Sequence, residues 1–351
     1  MPEPDDASAP LPSAPRHPRR LVYLGTPDMA VGPLEALHDA GFDIALVVTA
    51  SDKRRDRGSA TSATPVKLAA LSRGIPVTHD VADVAGAGAD LGVVVAYGRI
   101  LRRPVLAALP MVNLHFSLLP RWRGAAPVER AILAGDERTG VCVMAVEEGL
   151  DTGGVYASSE LAIRRSSTAA ELRQQLTTVG SRLLVETLQA GLTTPEPQVG
   201  EPIYAAKLGP EDLHLDWTRP ARELERVVRL GGAWTTFRGK RLKVHRARAW
   251  PDDPALATSD ARTARVPGAI GGGRIVTGDG ILELAEVQPE GKARTPFSAW
   301  ANGARPAAEE RLGDHEAPAD SFGEAKGLVS NQVDARNDDL GDEEASGAVR
   351  T

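Results

Sequence analysis

Residues 111–120 read Met-Val-Asn-Leu-His-Phe-Ser-Leu-Leu-Pro. The first part of this stretch is typical of a buried strand, and the leucine–proline step at its end predicts a tight turn. Because side chains two positions apart on a strand point to the same face, Asn113 and His115 should lie side by side near the strand's carboxyl end. An amide and an imidazole placed there can stabilise a carbonyl oxygen that gains negative charge. A polar pair that merely satisfies the end of a strand would give the same pattern.

The segments around this stretch predict an α/β fold. Short apolar runs alternate with helix-like stretches from residue 20 to about residue 163. The apolar runs are residues 21–24, 44–48, 93–96 and 111–115, and the helix-like stretches include residues 66–72 and 125–134. Strands that alternate with helices form a parallel, doubly wound sheet. Sites in such sheets gather at the carboxyl ends of the strands, where Asn113 and His115 are expected.

The second half of the chain predicts a smaller domain of another kind. Thr168 and Glu171 form a capping box, which predicts a long helix ending near Gly191. Residues 193–210 are rich in proline, as is common in a connection between domains. A short helix follows at residues 222–230, and then several short strand-like runs separated by glycine-rich turns. This pattern indicates a small β-barrel.

Asp151 stands in a glycine-rich turn that follows another strand-like run. Residues 147–154 read Glu-Glu-Gly-Leu-Asp-Thr-Gly-Gly. Glycines allow the backbone to approach a ligand closely or to adopt a positive φ. A carboxylate held there beside a histidine could move protons or stabilise the charge of the imidazole. An aspartate that only forms a turn would also be common before glycine.

Two segments carry concentrated positive charge. Residues 49–67 read TASDKRRDRGSATSATPVK and include Lys53, Arg54, Arg55 and Arg57. Residues 238–248 read RGKRLKVHRAR, with no acidic residue. Both could contact nucleic-acid phosphates, although a solvated loop and an edge strand guarded by charge are the simpler interpretations. The net charge is −6, but residues 307–351 contribute −8 and residues 1–19 contribute −1, so residues 20–306 carry +3.

Composition excludes several classes of protein. The single cysteine, Cys142, leaves no intrachain disulfide and no cysteine-rich zinc site. No G-x-G-x-x-G, Walker or HExxH motif is present, and no apolar run is long enough for a membrane span. Residues 1–19 lack the apolar core of a secretory signal, and we expect a disordered extension there and a cytoplasmic protein.

Read together, these segments resemble methionyl-tRNA formyltransferases over residues 20–301. The match is carried by the run SLLPRWRGAAP, followed about thirty residues later by GLDTG. The remaining matching residues are Gly25-Thr26-Pro27-Asp28, Ala96-Tyr97-Gly98 and Asn113-Leu114-His115. The sequence departs from the family pattern in two places. Many relatives have glycine where Phe116 stands here. Near residues 230–234 the chain has fewer residues than the common family pattern.

The resemblance implies a fold, a reaction and a set of site residues. The fold would be a Rossmann-like formyltransferase domain with a parallel-rich sheet, followed by an OB-like β-barrel. Asn113, His115 and Asp151 would be catalytic, and no metal is implied. The residues implied to hold 10-formyltetrahydrofolate, the cosubstrate, are Ser117, Leu118, Leu119 and Pro120. The residues expected to contact initiator methionyl-tRNA are Lys53, Arg54, Arg55, Arg57, Arg238, Lys240, Arg241 and Lys243.

Composition and the extent of the resemblance together divide the chain. We expect a disordered extension at residues 1–19, the catalytic domain at 20–192, a linker at 193–210, the barrel at 211–301 and an acidic disordered tail at 302–351. A monomer is implied. A formyltransferase for another amine, such as a nucleotide sugar or glycinamide ribonucleotide, shares the same three catalytic residues but does not need the basic segments. A folate-dependent formyl hydrolase and an RNA-binding protein with an inactive catalytic domain are two further interpretations.

Overall fold

The first domain is built on one seven-stranded sheet. The computed structural model describes residues 10–54, 61–250 and 266–314. In chain order the domain contains β1 (Arg20–Gly25), α1 (Val31–Asp39), β2 (Asp43–Val48), β3 (Lys53–Arg54), β4 (Thr61–Ser62), α2 (Pro65–Ser72), β5 (Val77–Thr78), β6 (Leu91–Val95), α3 (Arg103–Ala108), β7 (Met111–His115), β8 (Arg121–Gly124), α4 (Pro127–Ala134), β9 (Arg138–Ala145), β10 (Val155–Ala162) and α5 (Ala169–Ala190).

The order of strands in this sheet is β10-β9-β7-β6-β1-β2-β5. The strands from β7 to β5 pair in parallel, whereas β9 and β10 join at the other edge in antiparallel orientation. The predicted parallel-rich α/β sheet is therefore confirmed. Strand β7 is the last parallel strand before the direction changes. The β9–β10 connection leaves β9 beside Met111, at the start of β7, and reaches along β7 so that Asp151 lies near Asn113 and His115.

The core explains why these segments form layers. Residues 21–24 of β1 are fully buried, as expected of a strand covered on both faces. Helix α5 begins at the capping box of Thr168 and Glu171 that the sequence predicted. Its buried face contains Leu172, Leu176, Leu184 and Leu188, which lie in the same core as β1 and β7.

Over residues 203–250 and 266–314, the second domain is a smaller antiparallel sheet accompanied by two helices. Its elements and the strand before it are β11 (Ile203–Ala205), α6 (Ala221–Leu230), β12 (Trp234–Phe237), β13 (Lys240–Trp250), β14 (Ile270–Gly271), β15 (Arg274–Val276), β16 (Ile281–Pro289), β17 (Thr295–Pro296) and α7 (Phe297–Ala304). Strands β12 to β16 form a path in the order β12-β13-β16-β15-β14, and β17 pairs with β16. Helix α6 packs on this sheet through Leu224, Val227 and Val228.

The predicted second β domain is confirmed, but its sheet is open rather than closed. Within residues 211–250 and 266–314, the strand path ends at β12 on one side and at β14 on the other. Short strands can be counted from a sequence, but the pairing of the first strand with the last depends on twist and register. The sequence pattern therefore supported a small β domain without deciding its closure.

The residues that the sequence assigned to a linker are integrated into the first domain. Strand β11 pairs in parallel with β8, and Glu196 bridges to Val155. Arg130 on α4 donates hydrogen bonds to the carbonyls of Ala206 and Lys207 and forms an ion pair with Asp212. A proline-rich composition indicated an irregular chain here, but it gave no sign of these tertiary contacts.

The inner residues of both expected tails contact the folded domains. The amide of Leu192 donates to the carbonyl of Arg16, and Asp90 accepts from the amide of Arg19. At the other end, Leu312 is 2% exposed and its amide donates to Gly268. These contacts order residues 10–19 and 302–314, whereas residues 1–9 and 315–351 lie outside the described part of the chain.

Gly140 tests how tightly β9 packs against β10. A Cβ there would collide with the carbonyl oxygen of Ser159 and with the side chain of Leu118. We expect Gly140→Ala to lower the free energy of unfolding by roughly 1–3 kcal/mol, the usual cost of overpacking. Gly86→Ala is the matched control, because a Cβ at Gly86 meets nothing within 4 Å. Equal urea midpoints for the two variants would contradict the close approach of these strands.

Candidate active site

Strand β7 presents the two residues that the alternation pattern singled out. Asn113 is partly exposed and His115 is 5% exposed, and both stand at the carboxyl end of β7. Leu114 between them points the other way, into the core, where it contacts Gly180 of α5. The packing of Leu114 therefore fixes the direction in which Asn113 and His115 point.

Asp151 lies against both residues. The sequence placed it in a glycine-rich turn, and the structure shows that turn between β9 and β10. Its Oδ2 atom is 3.6 Å from His115 Nδ1, and its Oδ1 atom is 3.5 Å from Asn113 Nδ2. The structure thus brings the three predicted catalytic residues together. Only 15% of the Asp151 side chain is exposed, so its charge acts in surroundings with little water to screen it.

The orientation of the His115 ring is set by Trp122. The Nε2 atom of His115 lies 2.9 Å from the carbonyl oxygen of Trp122. A carbonyl can only accept a hydrogen bond, so Nε2 carries a proton and Nδ1 is the nitrogen that faces Asp151. The 3.6 Å between Nδ1 and the Asp151 carboxylate is longer than a hydrogen bond.

The carboxylate of Asp151 is held from a second side by β8. The amide of Gly124 donates to its Oδ2 at 2.7 Å. Gly124 has a φ of +115°, and a Cβ there would stand 3.0 Å from the carbonyl oxygen of Ala205 on β11. The turn therefore requires glycine, because a side chain would be strained and would push β11 away.

Strand β8 is itself fixed by Asp136. Its carboxylate accepts hydrogen bonds from Arg121 Nε at 2.9 Å, Arg121 Nη2 at 2.7 Å and Trp122 Nε1 at 2.7 Å. These bonds raise the pKa of Arg121 above its ordinary value. Trp122 has a φ of +64°, which is unfavourable for a bulky residue. The bonds to Asp136 hold Trp122 in that conformation and aim its carbonyl at His115.

Gln198 is a site residue that the sequence did not reveal. It comes from the connecting segment and donates to the carbonyls of Asp151 at 2.9 Å and Gly153 at 2.8 Å. A cleft of about 310 Å³ opens beside it. The residues that line this cleft are Arg123, Glu147, Thr152, Gly154, Pro195, Pro197 and Gln198. A lone glutamine among prolines carries no pattern from which such contacts could be inferred.

The segment after β7 contributes backbone and apolar surface. Ser117 is fully buried, and its hydroxyl donates to the carbonyl of Arg121 at 2.6 Å. Leu118, Leu119 and Pro120 are partly exposed. Phe116, the residue that departs from the family pattern, is 4% exposed and belongs to the main core. It therefore fills space behind the strand rather than altering the site.

The basic residues occupy two separate places. Lys53 and Arg54 form β3 of a short hairpin with β4, whereas Arg55 and Arg57 lie outside the described residues. In the second domain, Lys240 is exposed and Lys243 is partly exposed on β13.

Two arginines expected at this surface have protein partners. Arg241 lies over the ring of Trp234 at 4.3 Å. Arg238 donates to both carboxylate oxygens of Glu310, at 2.5 and 2.7 Å, and these bonds lower the pKa of Glu310 to about 2. The charge of Arg238 is therefore neutralised locally, whereas Lys240 presents its charge to solvent in the same turn.

Other chemistry can be assessed for the described part of the chain. Residues 10–54, 61–250 and 266–314 contain no group of three or more histidine, cysteine or carboxylate side chains able to hold a metal ion. Burial raises the pKa of the Cys142 thiol, so that thiol is a poor nucleophile. No described helix combines the length and the apolarity needed to cross a membrane.

Family models match both domains. The model for formyl transferases matches residues 19–188, and the model for the formyl transferase C-terminal domain matches residues 207–305. The methionyl-tRNA formyltransferase of Symbiobacterium thermophilum is 42% identical, covering 85% of this chain and 97% of its own. That of Roseiflexus sp. strain RS-1 is 41% identical, covering 86% and 97%.

Solved structures share the fold at low identity. HypX from Aquifex aeolicus in complex with tetrahydrofolic acid is similar with a TM-score of 0.56 and 17% identity, over 82% of this chain and 47% of HypX. An N-formyltransferase from Helicobacter canadensis, in complex with folinic acid and dTDP-3-aminofucose, is similar with a TM-score of 0.54 and 15% identity, over 76% and 98%.

Asp136→Ala tests whether β8 depends on its buried carboxylate. We expect the free energy of unfolding to fall by roughly 1–3 kcal/mol, because Trp122 Nε1 loses its acceptor inside the protein. The control is Asp43→Ala, which breaks an ion pair with Arg20 in which both side chains are about half exposed and should cost less than about 1 kcal/mol. Urea denaturation measures both, and an equal loss would contradict the role of Asp136.

Proposed function

The chain belongs to the methionyl-tRNA formyltransferase family, and from that premise we propose that Asn113, His115 and Asp151 carry out its reaction. The reaction transfers the formyl group of 10-formyltetrahydrofolate to the α-amino group of methionine on initiator methionyl-tRNA. The product, N-formylmethionyl-tRNA, starts protein synthesis. The observation that carries the assignment of residues is the meeting of an amide, an imidazole and a carboxylate at the end of β7.

The first task of these residues is to stabilise negative charge. The neutral amine attacks the formyl carbon, and the formyl oxygen becomes negatively charged as the new C–N bond forms. Asn113 Nδ2 is one donor for this oxygen. His115 Nδ1 is the second, and it donates in the imidazolium form, because the proton on Nε2 is already donated to Trp122. Donors fixed in advance in a partly dry site stabilise such an oxygen strongly.

Asp151 has the second task. Its carboxylate lies beside Nδ1 of His115 with little exposure to water, and there it orients the imidazole. It can also take the proton that the attacking amine must lose and pass it, directly or through water, to N10 of the departing folate. As N10 takes this proton, the bond between the formyl carbon and N10 breaks and the carbonyl re-forms. Tetrahydrofolate leaves, and no covalent bond to the protein is needed.

The folate is proposed to lie against residues 117–120. The partly exposed side chains of Leu118 and Leu119 offer apolar surface to an aromatic ring system. The Ser117 hydroxyl is occupied by a backbone carbonyl, so we assign Ser117 to shaping this turn rather than to a direct bond. The proposed chemistry uses no metal ion.

The transfer RNA is proposed to contact both basic segments. Lys53, Arg54, Arg55 and Arg57 would approach it from the first domain. Lys240 and Lys243 would do so from β13, where their charge is presented on partly or fully exposed side chains. Arg238 and Arg241 would support this surface, the former through Glu310 and the latter through Trp234. We propose a monomer that acts in the cytoplasm, where its tRNA substrate is charged.

Asp151→Asn should remove catalysis while preserving the fold. We expect turnover to fall by about 10²–10⁴-fold, the usual contribution of a positioned acid or base. His115→Asn should behave in the same way. Asp39→Asn, at a side chain that is 70% exposed on α1, is the matched control and should keep full activity. Wild-type turnover in the Asp151 variant would refute the proposed centre.

Phosphate contacts should make the reaction sensitive to salt. The assay is formyl transfer to methionyl-tRNA between low and high salt, with glycinamide ribonucleotide as the competing amine. We expect transfer to the tRNA alone, with an apparent affinity that falls steeply as salt rises. Transfer to glycinamide ribonucleotide instead would identify an enzyme for another amine.

The same assay can test whether an individual basic side chain contacts the tRNA. Lys243→Gln and Arg57→Ala should each raise the KM for tRNA and reduce its salt dependence by about one phosphate contact. The KM for 10-formyltetrahydrofolate should not change. The control is Arg182→Gln, which removes a charge from a 70% exposed position on α5. An equal loss of affinity for both substrates would indicate damage to the fold instead of a tRNA contact.

A further inference from the structure

Gln198 is turned towards the active site in a segment whose neighbours face solvent. Pro197 and Val199 are exposed, and Val199 is 87% exposed, whereas Gln198 is partly buried. An irregular segment normally directs a polar side chain to water, because ordering it costs conformational entropy. The inward direction of Gln198 therefore implies that specific bonds offset this cost.

Those bonds use both ends of the amide. Gln198 Nε2 donates to the carbonyls of Asp151 and Gly153, at 2.9 and 2.8 Å. Gln198 Oε1 accepts from Arg123 Nε at 3.0 Å and from Arg123 Nη2 at 2.6 Å. The carbonyls can only accept and the guanidinium can only donate, so the amide has one orientation that satisfies all four bonds.

The turn held in this way is strained. Asp151 has a φ of +51°, in the left-handed region that few non-glycine residues adopt. The carbonyl oxygens of Asp151 and Gly153, the two neighbours of Thr152, both accept hydrogen bonds from Gln198. Without these bonds the turn could relax to an ordinary φ, and the carboxylate would move away from His115 and from the amide of Gly124.

We propose that Gln198 is a positioning residue for formyl transfer. It acts through the backbone of residues 151–153, keeping the Asp151 carboxylate within reach of His115, and Arg123 orients it for this task. It touches neither the formyl group nor the amine. This inference rests on the proposed role of Asp151, and it gives the connecting segment between the two domains a direct part in the active site.

Gln198→Glu is the principal test, because it keeps the size of the side chain and the contact with Arg123 but removes the donor. We expect kcat to fall by roughly ten- to a hundredfold, the effect of a misplacement of about 1 Å in an active site. The KM values for folate and tRNA should change by less than about threefold, since substrate contacts are retained. Gln174→Glu, the same change on an exposed position of α5, is the control and should retain wild-type kcat.

Folding is monitored separately by thermal melting. Gln198→Met removes both the donor and the acceptor without placing a negative charge beside two carbonyls. If Gln198→Glu lowers the melting temperature, kcat is measured for Gln198→Met instead, and the same loss of kcat is expected. A wild-type kcat in a folded variant overturns the proposal.

The double variant with Asp151→Asn shows whether Gln198 acts through Asp151. Residues that work through one group are not additive, so Gln198→Glu should cause no further loss once Asp151 is replaced. A full additional loss overturns the proposal, because Gln198 would then act elsewhere. Wild-type turnover of Asp151→Asn alone refutes the catalytic centre itself, whereas its collapse beside an unaffected Gln198→Glu refutes only the positioning role.

Discussion

The site depends on one constrained carboxylate. Asp151 must hold a left-handed backbone conformation while its side chain meets the amide of Gly124 and faces His115. Neither the turn nor the carboxylate would stay there unaided, because the conformation is strained and a poorly exposed charge needs donors. The fold supplies these donors from three separate places. They come from β7, from β8 and from the segment that leaves the first domain.

This constraint explains why so much structure surrounds so few reacting groups. Strand β8 is short and irregular, yet its Trp122 carbonyl orients His115 and its Gly124 amide binds Asp151. It is held by Asp136 on one side and by β11 on the other. The histidine and the aspartate are thus positioned by a common strand, so a displacement of β8 would disturb both residues together.

The sequence identified those site residues that are marked by a pattern in their immediate neighbours. Asn113 and His115 were placed on one face by the alternation of a strand, and in the structure both lie against Asp151. Asp151 was recognisable because glycines surround it. Gln198 was not, since its bonds reach residues 47 and 45 positions away and leave no periodicity. Leu312 was missed for a related reason: a single apolar side chain in an acidic stretch does not reveal that it is buried. The open sheet of the second domain likewise depends on strand pairing that composition does not encode.

The connecting segment also determines where the chain can be divided into interchangeable modules. Residues 193–213 lie between the two matched family regions or at their margin, yet β11, Gln198 and the partners of Arg130 all belong physically to the first domain. Leu208 and Leu213 pack against that domain's core as well. A chimaera that joins this first domain to a foreign second domain at residue 192 would discard Gln198 and its bonds to the turn of Asp151. The natural junction for such an exchange lies after Leu213, about twenty residues beyond the point that the proline-rich composition suggests.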